Sequence, residues 1–231
     1  MKINVLFFAH HRRATGIPET SLSVPDGSSV KVIADLIALQ FNLNFKGSMI
    51  AVNDAYASPE QILENNDTIA FIPPVSGGSV PPVSGGSNDD VFLVTEQPLQ
   101  LEDLHAHLTK AEWGGQAMFT GSTRSPNKGQ TIVHLEYEAY PAFCLAEMQR
   151  IALKAREQFE LGRIVMAHRT GIVLPAQVSI FIGAASSHRR ACLEAVPWML
   201  DEAKTRLPVW KLEITQHGER WVEGSTAAPT L

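Results

Sequence analysis

Cysteine is nearly missing from this chain: Cys144 and Cys192 are the only two in 231 residues, far apart and without a CxxC companion. No cysteine-based metal or redox motif follows from them, and two buried thiols in a cytoplasmic protein are the expectation. Positive charge is not in excess either. With 19 Lys and Arg against 24 Asp and Glu, the formal net charge is −5, which gives no reason to expect nucleic acid or an anionic membrane as partner. No apolar run reaches the roughly 18 residues that a spanning helix needs. The stretch Met1 to Ala9 has one charge and a short apolar run, then continues into His10-His11-Arg12-Arg13. It lacks a small-residue cleavage site and reads as a strand, not a signal peptide. The remaining composition, 45% hydrophobic and 19% charged, is that of a globular protein with one large or two small domains.

The unusual feature is a repeat. Pro73-Pro74-Val75-Ser76-Gly77-Gly78 is followed eight residues later by Pro81-Pro82-Val83-Ser84-Gly85-Gly86. Such composition cannot build a core and reads as a linker. Gly-Gly is also thin enough to enter a narrow active site, because no Cβ obstructs its backbone.

Before the repeat, Lys2–Ala9 reads as a buried strand, Arg12–Pro18 as a polar turn region, and Glu19–Val24 as a half-buried strand. Ser28 or Ser29 caps a helix over Val30–Phe41 with Ile33, Leu36, Ile37 and Gln40 on one face. Met49–Val52 is a strand, Asn53-Asp54 a turn, Ile62-Leu63 part of a short helical turn, and Thr68–Ile72 the last strand. That order is the order of a β-grasp (ubiquitin-like) domain, and its last strand runs straight into the first Gly-Gly.

With the ending Phe71-Ile72-Pro73-Pro74-Val75-Ser76-Gly77-Gly78, residues 1–78 resemble the small, MoaD-like subunit of molybdopterin synthase, a ubiquitin-like sulfur carrier. The resemblance implies that the terminal glycine, here Gly78, is adenylated by an E1-like enzyme and converted to a thiocarboxylate with the help of a sulfur donor. Taken alone, a β-grasp fold ending in Gly-Gly fits another sulfur carrier or a protein modifier equally well.

Residues 79–90 form the expected linker. Thirteen steps separate Gly78 from Val91, a span of at most about 43 Å at ~3.3 Å per residue. Reach is therefore no obstacle to delivery into a neighbouring pocket. Chemistry is, because Gly78 in the uncut chain carries an amide where sulfur transfer needs a free carboxyl end.

From Val91 onward strands and helices mix in an α+β pattern: strands at Val91–Thr95, Gln116–Gly121, Thr131–Tyr137, Ile164–Arg169, Val178–Ala185 and Trp210–Thr215. Helices are expected through Leu99–Lys110, from Pro141 with the stripe Leu145, Met148, Ile151, Ala152 and Ala155, and from about Arg189 to Arg206 with Ser186-Ser187 as cap. Pro208 ends the last of these. Ser187-His188-Arg189-Arg190 at a strand-to-helix junction suits an anion, although a solvated basic cap would look the same. Lys204 and Lys211 flank the break at Pro208, so both amines can point at one place. In a partly dry pocket their repulsion would lower both pKa values.

Phe119-Thr120-Gly121 with Arg124, His168-Arg169 before Gly171, Ser187-His188-Arg189, Lys204 to Lys211 and Arg220-Trp221-Val222-Glu223 together resemble the large, MoaE-like (α/β hammerhead) subunit of molybdopterin synthase. That similarity covers residues 91 to about 223, within an expected domain of 91–231. It implies that Lys204 and Lys211 are catalytic. It also implies that Phe119, Ser122, Thr123, Arg124, His188, Arg189, Leu212 and Glu213, with the two lysines, contact cyclic pyranopterin monophosphate. At Ser122 the chain departs from relatives that carry a basic residue. The resemblance further implies a homodimer through the C-terminal domain and a transfer that itself requires no metal or other cofactor. A protease that cuts after Gly78 would free the tail. An uncut fusion that binds pterin without transferring sulfur is the alternative. A modifier joined to an unrelated phosphate-binding enzyme is a third, and it leaves the Lys204 to Lys211 block unexplained.

Overall fold

The computed structural model describes residues 1–45, 48–73 and 90–222. The chain divides into two compact units, Met1–Val75 and Ser76–Leu231. From Pro74 onward the repeat, with its glycine Gly78, lies outside the described residues.

In the first unit the elements are β1 (Lys2–Phe7), α1 (Ala9–Thr15), β2 (Glu19–Ser23), α2 (Val30–Phe41), β3 (Met49–Val52), β4 (Ala55–Tyr56) and β5 (Thr68–Ile72). The sheet order is β2-β1-β5-β3-β4, with β1 and β5 parallel at its centre. Alternation along β1 sends Ile3, Val5 and Phe7 into the core. There they meet Ile33 and Ile37 of α2 and Ile69 and Phe71 of β5. Phe71 stacks on Phe45 with ring centroids 4.2 Å apart. This is the β-grasp arrangement.

Local departures from the sequence reading have physical causes. The expected turn region is largely the helix α1. Its residues are polar, so no apolar stripe announces it. Contacts from distant residues fix it instead: His11 is buried, hydrogen-bonds Ser48 Oγ at 2.8 Å and packs edge-on against Phe45. Gly16, at φ 74°, closes it in the left-handed conformation that glycine adopts without strain. The face of α2 is narrower than expected. Val30, Ile33 and Ile37 are buried, whereas Leu36 is 45% exposed and Gln40 is also exposed. Ser29 occupies the N-cap but makes no side-chain cap bond. Ile62-Leu63 is not helical, because Ile62 bridges to Ser29 and Leu63 N–H donates to Ser28 O.

The second unit runs β6 (Val91–Thr95), α3 (Leu101–Leu108), β7 (Gly115–Ser122), β8 (Ile132–Ala139), α4 (Pro141–Gln158), β9 (Ile164–Arg169), β10 (Gly171–Val173), β11 (Val178–Ser186), α5 (Arg189–Arg206), β12 (Val209–Thr215) and β13 (Gly218–Val222). Two four-stranded sheets form, β6-β9-β11-β7 and β10-β8-β12-β13. In the first, β9 is buried along its whole length. Ile164 and Met166 join Met148, Ile151 and Met199 of α4 and α5, while Val165 and Ala167 join Leu104 and Leu108 of α3. Helices thus cover both faces of that sheet. Both cysteines are buried, and burial pushes the Cys144 thiol up to about 12.

The short strand β10 and the final strand β13 were not legible as separate elements. Each is defined by pairing, β10 on β8 and β13 on β12. The strand expected to close the chain is therefore followed by another. At α5 the N-cap is His188, not Ser186 or Ser187, and it makes no side-chain cap bond. Ser186 Oγ donates instead to His188 O at 2.7 Å. Among the described residues, no helix is long and apolar enough to cross a membrane.

Candidate active site

The break at Pro208 builds the site. Leu207 is extended at φ −70°, ψ 125°, the conformation favoured before proline, and the chain passes from the last turn of α5 into β12. Pro208 O accepts the N–H of Tyr140, at 3.1 Å, tying this corner to the start of α4. Lys204 before the break and Lys211 after it line one cavity of about 240 Å³. Phe119, Ser122, Tyr137, His168, Ser179 and Val222 are among the other residues lining it. The two lysines, expected from sequence to converge across Pro208, thus line the same cavity.

Lys211 stands directly between Tyr137 of β8 and Val222 of β13 in the sheet. Burial lowers its pKa most; the nearby charges of Arg124, Arg220 and Lys128 lower it further, while Glu213 raises it. Lys204 is not among the charges that lower it, so the expected mutual repulsion of the two lysines is replaced by burial and three other cations.

Tyr137 donates its hydroxyl hydrogen to Ser179 Oγ at 3.3 Å, and Ser179 Oγ donates to Gly121 O at 3.2 Å. Burial raises the Tyr137 pKa. His168 lies edge-on to the Tyr137 ring, 5.1 Å between centroids, and its Nδ1 is 2.7 Å from Arg169 O. That bond fixes the tautomer with the proton on Nδ1. Burial holds His168 at a pKa of about 4, neutral at pH 7.

The remaining expected residues fall into three places. Arg124, Leu212, Glu213 and Thr123 surround the cavity without lining it. Arg124 donates to Asn127 Oδ1 at 3.0 Å. Glu213, 3% exposed, accepts from Asn127 Nδ2 at 2.8 Å and from Arg220 at 2.7 Å. Leu212 is buried. Thr123 is 2% exposed, and its hydroxyl has no partner among the described residues. His188 and Arg189 lie elsewhere, in an open hollow with Gly114, Ser187, Arg190, Leu193 and Glu194. The reason is α5 itself. His188 caps its start and Lys204 sits in its last turn, and 16 residues of helix at 1.5 Å each span about 24 Å. Gly78 is outside the described residues.

Tyr137, Ser179 and Asn127 belong to the site or its surroundings but were not expected there, and His168 and Arg220 stood in the quoted motifs without a role. Only strand pairing and loop closure bring them in, and neither is written in local sequence periodicity.

The MoaE protein family model matches residues 94–206, and the ThiS family model matches residues 5–78. The molybdopterin synthase catalytic subunit of Pyrococcus abyssi is 35% identical over 133 residues, covering 58% of this chain and 90% of the relative. Its Escherichia coli K12 counterpart is 35% identical over 132 residues, 57% of this chain and 88% of the relative. A crystal structure of molybdopterin synthase from Staphylococcus aureus superposes with a TM-score of 0.54 and 26% identity, covering 56% of this chain and 94% of that one.

Proposed function

The chain belongs to the family of molybdopterin synthase catalytic subunits, and from that premise we propose that it carries out sulfur transfer with both halves of the enzyme in one polypeptide. The substrate is cyclic pyranopterin monophosphate, and the product is the dithiolene of molybdopterin. The sulfur comes from a thiocarboxylate on the C-terminal glycine of a sulfur carrier, and this chain's own first unit, freed after Gly78, is that carrier. Lys204 and Lys211 lining one cavity is the observation that carries the reading. A ThiS match that ends at residue 78 supports the choice of glycine.

Lys211, half buried and with a pKa held below the ordinary lysine value by its burial, is suited to proton transfer. Lys204 holds the thiocarboxylate or forms a transient link to its carbonyl. Arg124 holds the phosphate or pyran oxygens through charge-assisted bonds. Two sulfurs require two carrier deliveries, with an E1-like enzyme and a sulfur donor recharging the tail. His188 and Arg189 line a different hollow from the lysines. In this reading they serve the partner's site in a homodimer formed through the C-terminal unit, in the cytoplasm.

Intact mass of the protein from its native host, with an assay of precursor conversion, tests the proposal. A fragment ending at Gly78, heavier by the exchange of one oxygen for sulfur, is expected. A fragment ending at Gly86 would move the site to the second copy. Full-length chain alone, active without cleavage, would refute processing. Full-length chain that binds precursor but converts it with neither its own tail nor an added charged carrier would establish the scaffold instead.

A further inference from the structure

Arg124 lies on the connection between β7 and β8, whose tip is a tight turn. Asn127 N–H donates to Gln130 O at 2.9 Å and Gln130 N–H returns to Asn127 O at 3.0 Å. Lys128 and Gly129 between them both have positive φ, 48° and 77°, as a two-residue hairpin turn of this hand requires. Ile132 N–H donates to Ser125 Oγ at 3.0 Å and closes the base of the loop. The backbone of Asn127 is thereby fixed at both its N–H and its carbonyl.

Its side chain faces two ways. Asn127 Oδ1 accepts from the Arg124 guanidinium at 3.0 Å, and Asn127 Nδ2 donates to Glu213 Oε1 at 2.8 Å. Glu213 is a firm anchor. It lies on β12 two residues beyond Lys211, is 3% exposed, and has its other oxygen held by Arg220 at 2.7 Å. The bonds run Arg124–Asn127–Glu213–Arg220 from an exposed loop onto the strand that carries Lys211. Without such a tether, an exposed arginine gives up side-chain freedom on meeting its ligand.

We propose that Asn127 is a positioning residue that sets the Arg124 guanidinium beside the lysine cavity, using buried Glu213 as its anchor. The inference rests on the functional reading above. Asn127 touches no substrate; it acts through Arg124. The same bonds engage both carboxylate oxygens of Glu213, so its charge is partnered when an anionic substrate arrives.

The test uses the full protein, with Asn127→Ala, Arg124→Ala and the double variant. Asn127→Ala is expected to raise KM for the precursor about 2- to 10-fold, the range of one lost hydrogen bond, with kcat within roughly twofold. In the Arg124→Ala background it is expected to add nothing, because its route is already gone. A merely structural role would instead add the same factor in both backgrounds. Relaxation of the Arg124 Nε–H bond reads the tether without any activity, and it should be ordered in the native protein and mobile in Asn127→Ala. An active Asn127→Ala with native KM, an additive double variant, or equal Arg124 mobility in both proteins would overturn the proposal. Should the native protein neither bind nor convert the precursor, the functional reading fails while the relaxation comparison still decides the tether.

Discussion

Arg206 Nε donates to Glu147 Oε2 at 2.9 Å, with both side chains almost wholly buried, at 2% and 1% exposure. Arg206 is the last residue of α5 and Glu147 lies in α4, so the pair fastens the end of the helix that carries Lys204. Arg150 and Glu202 join the network. Glu147→Ala leaves a buried guanidinium short of its partner and is expected to cost about 3–5 kcal/mol. Denaturant unfolding at pH 7 measures it.

Lys211 gives a pH dependence with a defined sign. A step that needs the neutral amine accelerates as pH rises through the Lys211 pKa, which lies below the ordinary lysine value. Arg124→Ala removes a charge that lowers it, so the ascending limb of kcat moves to higher pH. Glu213→Gln removes the charge that raises it, so the limb moves lower. Shifts in opposite directions are expected in pH–rate profiles.

Gly115 has no room for a side chain. A Cβ there would sit 2.8 Å from Arg189 Cα and 2.9 Å from Arg189 N, both backbone atoms. Gly115→Ala must therefore displace the start of α5, with a cost of about 1–3 kcal/mol and a loss of activity through His188 and Arg189. Thermal unfolding and precursor conversion, measured together, check both effects.

Protomers carrying Lys204→Ala and protomers carrying His188→Ala are each expected to form poorly active homodimers. In random mixtures half the dimers are mixed, and each mixed dimer has one undamaged site if His188 acts across the interface. Recovery of roughly a quarter of native activity is the expected outcome for a twofold dimer. No recovery on mixing would place both residues in one protomer's site.

Burial holds His168 and His11 neutral, each at a pKa of about 4, with the His10 charge adding to the effect at His11. The unfolded chain binds these protons near pH 6.5, so stability is full above that pH and falls as pH drops toward 4. His168 alone would lose up to about 3 kcal/mol over that window. Unfolding at pH 7 and pH 4.5, with imidazole resonances followed by NMR, tests the sign and the sites.

Much of this molecule is legible in local sequence. The limits of α2 and α5 follow from apolar spacing and, for α5, from Pro208; the buried strands β5 and β9 follow from short apolar runs. Lys204 and Lys211 could be paired from sequence because a single proline lies between them. Local signals succeed where one residue's backbone preference decides the outcome.

Elements held by distant contacts were not legible. The helix α1 exists because His11 meets Ser48 and Phe45, and β13 exists because β12 offers it an edge. Sequence determined that two lysines flank a helix stop beyond a β-grasp segment and a Gly-Gly repeat. Tertiary structure alone decided what surrounds those lysines. Strand pairing set Tyr137 opposite Lys211, loop closure brought Asn127 to Glu213, and the length of α5 kept His188 from Lys204. Pairing and closure depend on which distant backbones meet, and residue spacing carries no record of that.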